Sequence, residues 1–334
     1  MRQTVRLSLE QIQSIACGTA RVEQVGDLIA LLRFTKEQEE LYRESSWPSF
    51  YKRTFSTAGV TLEFDTDSEE LTLAVQVSEG CGYRWFVHSV VVDDKRAGEV
   101  IGFIPEGGVA SAKGVFALGK GMKRVRIVFP WNECSRIAAL ELDDGAKLIP
   151  VAKKRKMLIF GDSITQGYTT WLPENSYASR ISRWLDADMI NKGIGGEAYW
   201  PELASLADGF EPESILVAYG ANDWNARTEE EFADKSRAFC LGLRKLYPHA
   251  KILVLTPIWM KTREEKKQER WPFENLVSHL KELEHFVENL TVIEGTDLVP
   301  CDLACFAEDH VHPNDVGFGY YAQALSVELE KILN

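Results

Sequence analysis

The sequence predicts two domains in series: an antiparallel β-sandwich over residues 1–150, then an α/β domain over residues 151–334 whose parallel sheet is covered by helices on both faces. Three observations predict this. A chain of 334 residues exceeds what one hydrophobic core usually serves. Its first part alternates apolar and polar residues with period two, as half-buried antiparallel strands do. Its second part sets short, wholly apolar runs between helical stretches, the pattern of strands buried on both faces.

In the first domain the alternation is clearest in LTLAVQV, Leu71 to Val77, and in KRVRIVF, Lys123 to Phe129, where Val125, Ile127 and Phe129 share a face. Turn-forming clusters bracket such strands: DTDSEE before Leu71, SEGCG after Val77, DDKRAG after Val92, and PEGG at Pro105 to Gly108. EQEELYRESSW, Glu37 to Trp47, reads as a short helix. The basic run AKKRK, Ala152 to Lys156, reads as a solvated linker at the changeover.

Five strand-then-helix units follow. MLIF precedes YASRISRWLDA; DMIN precedes PELASLAD; SILVAY precedes EEEFADKSRAFCLGLRKLY; KILVLTPI precedes FENLVSHLKELEHFVEN; TVIEG precedes a closing helix near Asp315 to Leu333.

The charge balance narrows the partners. A net charge of -12 repels nucleic acid and anionic membrane, so neither is an expected partner, and a neutral small molecule fits better. Glu10, Gln11 and Gln13 interrupt the N-terminal segment, and no later window approaches a membrane span, which gives a cytoplasmic expectation. The six cysteines are scattered, and Cys301 with Cys305 has no second pair nearby, so neither a metal nor a cofactor is expected.

In an open parallel sheet, ligands bind beyond the carboxyl ends of the strands. Those loops carry Ser163 in FGDSITQG, Gly195 and Gly196 in NKGIGGEA, Asn222 in YGANDWN, and Asp309 with His312 in EDHVHPND. Taken singly each is ordinary: Ser163 could cap a helix, the glycines could serve a turn, and Asn222 and Asp309 could make Asx-turns. Together they form the set that acyl transfer requires. A serine hydroxyl needs a base, the imidazole needs an orienting group, and the oxyanion needs fixed donors.

Competing motifs fail. Thr165 stands where the G-x-S-x-G elbow requires glycine. Gly193, Gly195 and Ala198 match a dinucleotide fingerprint formally, but in the second unit and in isolation.

The order GDS, NKGIGG, GAND, DHVHP resembles the four blocks of the SGNH, or GDSL-type, hydrolase superfamily, from residue 157 to the C-terminus. The resemblance implies a flavodoxin-like five-stranded sheet. It also implies Ser163 as nucleophile and oxyanion N–H donor, Gly196 and Asn222 as further oxyanion donors, His312 as general base and Asp309 as its partner. His310 departs from the family, which commonly has glycine near there. The first 150 residues resemble, by architecture, the jelly-roll modules that precede some SGNH carbohydrate esterases.

The expected activity is therefore a serine esterase removing short acyl groups, an acetyl group from a carbohydrate first among them. A lipase or thioesterase on longer chains would share the same residues, and a sugar-binding protein without activity would not need them. Trp171, Trp224 and Trp259 follow strands one, three and four and could offer faces to a sugar ring, or could pack in the core. The first domain could gate the substrate or assemble a homo-oligomer, and the sequence leaves both open.

Overall fold

The computed structural model describes residues 3–333. Two antiparallel sheets draw on its first 150 residues. One has the spatial order Arg21–Val25, Leu28–Leu32, Cys134–Asp143, Glu70–Ser78, Val109–Ala117, with Thr4–Arg6 beside Cys134–Asp143. The other runs Ile149–Pro150, Thr61–Thr66, Lys123–Val128, Trp85–Val92, Lys95–Phe103, with Ala16–Cys17 on Thr61–Thr66. Leu71, Leu73, Val75 and Val77 of the first sheet bury against Leu62, Phe64, Val125 and Ile127 of the second. The alternation read in the sequence thus lines the inside of a sandwich. The turn in DDKRAG is tighter than the cluster implied: only Asp93 and Asp94 form it, both at positive φ, and pairing resumes at Lys95.

The parallel sheet contains β1 (Arg155–Gly161), β2 (Ala187–Asn191), β3 (Ser214–Ala218), β4 (Lys251–Leu255) and β5 (Leu290–Ile293), in the order β2-β1-β3-β4-β5. That is the flavodoxin-like order, with its switch point between β1 and β3. The helices are α1 (Ser163–Gln166), α2 (Tyr177–Trp184), α3 (Ala221–Ala226), α4 (Glu229–Leu246), α5 (Lys261–Glu265), α6 (Phe273–Phe286) and α7 (Asp315–Leu333). Leu158, Phe160, Ile215 and Val217 face a core completed by α4 and α6. Met157, Ile159, Leu216 and Leu253 face the opposite core, completed by α2 and α7. Two buried faces explain why these strands read as unbroken apolar runs.

Two local expectations are corrected. PELASLAD forms no helix: only Leu203–Ser205 makes one 3-10 turn, and residues 192–213 are otherwise irregular. Pro201 and Gly209 bound a segment too short to sustain helix, and Leu203 and Ala204 are buried from the turn instead. AKKRK is not simply solvated. Lys153 is nearly buried, 2.5 Å from Glu63 of the sandwich, and β1 begins at Arg155.

The segment after Leu32 leaves the sandwich. It forms the helix Lys36–Glu44, capped by Thr35 and Gln38 in a reciprocal box, and then the helix Pro48–Thr54. Phe34 and Tyr42 join the core of the parallel sheet beside Leu158 and Phe160. Among the described residues, no helix is long and apolar enough to cross a membrane.

Candidate active site

Ser163 stands at the carboxyl end of β1, next to the switch point, as the first residue of α1. The cap of that helix is Asp162, whose side chain accepts the Ile164 N–H at 3.0 Å. The serine hydroxyl is left for another partner: Ser163 Oγ lies 2.6 Å from His312 Nε2.

His312 comes from the long connection between β5 and α7. A bridge between Phe306 and Pro313, with Ala307 N–H donating to His312 O at 2.8 Å, closes that chain into a tight loop. Asp309 divides its oxygens within it. Oδ1 accepts the backbone N–H groups of Val311 and His312, and Oδ2 lies 2.6 Å from His312 Nδ1. The Asx-turn and the imidazole contact coexist on one carboxylate. With Nδ1–H donated to Asp309, Nε2 of a neutral ring is an acceptor facing the Ser163 hydroxyl. Burial alone would raise the pKa of Asp309, but the hydrogen bonds from the His312 ring and the two N–H groups outweigh it and hold the carboxyl well below its usual range. His310, at φ 55, occupies the left-handed position of the loop, where a non-glycine residue costs about 1 kcal/mol.

Gly195 and Gly196 follow β2. A Cβ on Gly195 would sit 2.7 Å from the Tyr168 hydroxyl, and Gly196 has φ +87, so each position requires glycine for its own reason. Asn222, in the first turn of α3 after β3, donates Nδ2–H to Glu197 O at 2.8 Å. The side-chain amide has two hydrogens, so this bond pins the group against the Gly196 loop and leaves one donor over. The dinucleotide reading of these glycines has no support. No helix begins there, Gly193 N–H donates to Asn191 Oδ1, and Gly195 N–H donates to Gln166 Oε1.

The tryptophans separate. Trp224 does not reach the crevice: it is 1% exposed, packs edge-on against Phe273 and donates Nε1–H to Trp271 O. It lies on the inward face of α3, where an indole serves the core. Trp259 is half-buried, edge-on to Phe306 at the base of the Asp309 loop. Trp171 is exposed and stacks on Trp85 of the sandwich at 4.9 Å between centroids.

Several residues at the site were not singled out from the sequence. Tyr168 stacks on the His312 ring at 5.6 Å and meets Tyr83 of the sandwich edge-on. The Arg33 guanidinium is fully buried and donates to Ser56 O and Oγ, Arg53 O, Asn191 O and Gly193 O. Arg53 donates to Gly195 O, and Tyr42 and Tyr219 donate to the two oxygens of buried Glu197. Residues 33–57 therefore clamp the loop that carries Gly196. Tyr42, Glu197 and Tyr219 lay within quoted stretches, as did Gln166 one helical turn after Ser163, but no local pattern marks their partners.

Burial pushes the Glu197 carboxyl up to about 8, against the partial opposition of the two tyrosine hydroxyls and Arg33. The folded state then holds a proton that the unfolded chain releases near its ordinary value, so Glu197 makes stability fall as pH rises from about 4.5 to about 8. Glu197→Gln should flatten that part of the curve. Melting temperatures of both proteins between pH 5 and pH 8 check this, and parallel curves would contradict it.

Comparison with known proteins agrees with this architecture. Residues 159–319 match the model of the GDSL-like Lipase/Acylhydrolase family. A salicylyl-acyltransferase from a tetracycline biosynthetic pathway superimposes with TM-score 0.85 at 18% identity, over 99% of this chain and 97% of that one. A family two carbohydrate esterase from Cellvibrio japonicus gives 0.71 at 17% identity, and an acetyl xylan esterase from the rumen bacterium Butyrivibrio proteoclasticus gives 0.67 at 17%. Each of the two covers 100% of this chain and 99% of its own. No curated protein matches by sequence. The stretch of this chain that is similar to the GDSL-like Lipase/Acylhydrolase family, residues 159–319, is the one that carries all four loops after the strands.

Proposed function

We propose that the protein is a serine esterase that removes short acyl groups, an acetyl group on a carbohydrate being the first candidate. The observation that carries this reading is the continuous contact from Asp309 through His312 to Ser163, each step 2.6 Å. His312 takes the proton as Ser163 Oγ attacks the ester carbonyl, and it returns that proton to the departing alcohol. Water activated by the same ring then releases the acid from the acyl-enzyme. The N–H groups of Ser163 and Gly196 and the spare Asn222 amide hydrogen are the proposed donors to the oxyanion.

The carbohydrate half of the proposal rests on the surroundings. The site is open, with the Asp309 side chain 45% exposed, which suits an ester carried on a bulky molecule. Trp171 and Trp85 form a stacked aromatic pair at its rim, a surface on which a sugar ring can lie. One of the superimposed proteins is named as a family two carbohydrate esterase and another as an acetyl xylan esterase. The division into a domain of residues 1–150 and a catalytic domain of residues 151–334 belongs to the same proposal.

Asn222→Ala should lower kcat about a hundredfold or more, because one oxyanion donor is worth about 3 to 4 kcal/mol. Steady-state kinetics on p-nitrophenyl acetate measure it, and an unchanged kcat would remove Asn222 from the oxyanion site. Acyl length is tested with p-nitrophenyl esters from acetate to decanoate alongside acetylated xylo-oligosaccharides. Faster turnover of decanoate than of acetate would replace the acetylesterase reading with a lipase or thioesterase one.

A further inference from the structure

A cavity of about 640 Å³ lies between the sandwich and the helices α2 and α7, lined by Arg126 and Glu63 on one side and by Arg180, Arg183, Glu174 and Gln323 on the other. Its size is that of a small-molecule site. It shares no lining residue with the Ser163, His312 and Asp309 cluster.

Its charge is unbalanced once partners are assigned. Glu63 faces Arg126 across the strand pair, but its oxygens are held by Thr61 at 3.0 Å and Lys153 at 2.5 Å. Glu174 is held by Ser89 at 2.7 Å and Arg96 at 3.2 Å. Arg183 pairs with Asp94 at the rim. Arg180 uses Nε and Nη2 on Asn175, and its Nη1 has no hydrogen-bond partner among the described residues. Arg126 has no hydrogen-bond or ion-pair partner among the described residues, and its Nε is buried without an acceptor. Arg126 is half-buried, and an Nε–H withdrawn from water without an acceptor is a costly arrangement unless an acceptor arrives.

We infer that this cavity is a binding site, separate from the esterase centre, for a small polyhydroxylated anion whose oxyanion pairs with Arg126 and Arg180. Guanidinium forks match a carboxylate or a phosphate. Ser179, Ser182 and Gln323 supply the hydrogen-bonding groups that hydroxyls need. The oxyanion can come from a uronic acid or from a sugar phosphate, and the neutral parent sugar lacks it.

The test is calorimetric titration of the full-length protein with D-glucuronate, D-glucose 6-phosphate and D-glucose. Saturable one-site binding of at least one of the two anions, with none of glucose, is expected, and comparison of the two identifies the source. Arg126→Leu should weaken that binding about tenfold or more, Arg126→Lys by less, since a charge-assisted bond is lost in the first and its fork in the second. Both variants should keep wild-type melting temperature and hydrolysis of p-nitrophenyl acetate. Binding of neither anion, equal binding of glucose, or undiminished binding by Arg126→Leu would each overturn the site. Because ester hydrolysis is read separately, these outcomes leave the esterase proposal where it stands.

Discussion

Ser163→Ala should lower turnover of a small acetyl ester by a factor of about 10⁴ or more, with KM little changed. In the proposed mechanism the hydroxyl is the attacking atom, and the substrate is held by groups the substitution leaves in place. Asp162 caps α1, so the substitution removes no cap and should leave the fold intact. Steady-state kinetics measure the loss, and intact-mass spectrometry after rapid quench adds a qualitative readout: an acetyl adduct on the wild type and none on the variant. A Ser163→Ala protein that turns over at the wild-type rate would remove Ser163 from the chemistry and leave the contact with His312 as a structural hydrogen bond. Asp162, raised to about 6 mainly by burial, must be kept distinct from Asp309 in such work, since each carboxyl lies close to the same serine loop.

Arg33→Met should destabilise the protein by about 3 to 5 kcal/mol, since each buried acceptor left without a donor costs about 1 to 3 kcal/mol. All five guanidinium hydrogens are used, three toward acceptors in residues 53–56 and two toward carbonyls of β2 and the turn after it, so methionine leaves several buried carbonyls without donors. Burial lowers the guanidinium to about 10, which still leaves it charged at neutral pH. Urea unfolding of the two proteins measures the difference. A loss under about 1 kcal/mol would show that the carbonyls find other donors. In the folded variant, kcat should fall with the stability, because Asn191 and Gly193 begin the loop that presents Gly196. The same contacts argue that residues 151–334 alone would lack the clamp on this loop, whatever part the sandwich plays in assembly.

Much of the fold was legible because periodicity is a local property. The alternation from Leu71 to Val77 and the apolar runs of Met157 to Phe160 and Ser214 to Tyr219 each state how many faces their strand buries. PELASLAD misled because helix propensity is also local, and the segment's length and bounding Pro201 outweighed it. Trp224 and Trp171 both follow strands, and nothing in their neighbourhoods distinguishes an indole turned into a core from one left at a rim. That choice depends on what other segments bring: Phe273 and Trp271 in one case, Trp85 of the sandwich in the other.

The sequence by itself determined the two kinds of sheet, and it put a hydroxyl, a glycine, an amide, a carboxylate and an imidazole on loops after strands. These follow from residue type, spacing and the rule that a parallel sheet gathers its loops at one edge. Only the tertiary structure decided that Asp162 rather than Ser163 caps α1, that Asp309 serves its turn and His312 together, and that the segment after Leu32 belongs to the site. Arg33 meets Asn191 across 158 positions of chain, and Arg126 faces helices that come more than fifty positions later. Such contacts leave no mark on the residues around them, because they are fixed by the packing of whole domains and not by the conformational preferences of any short stretch.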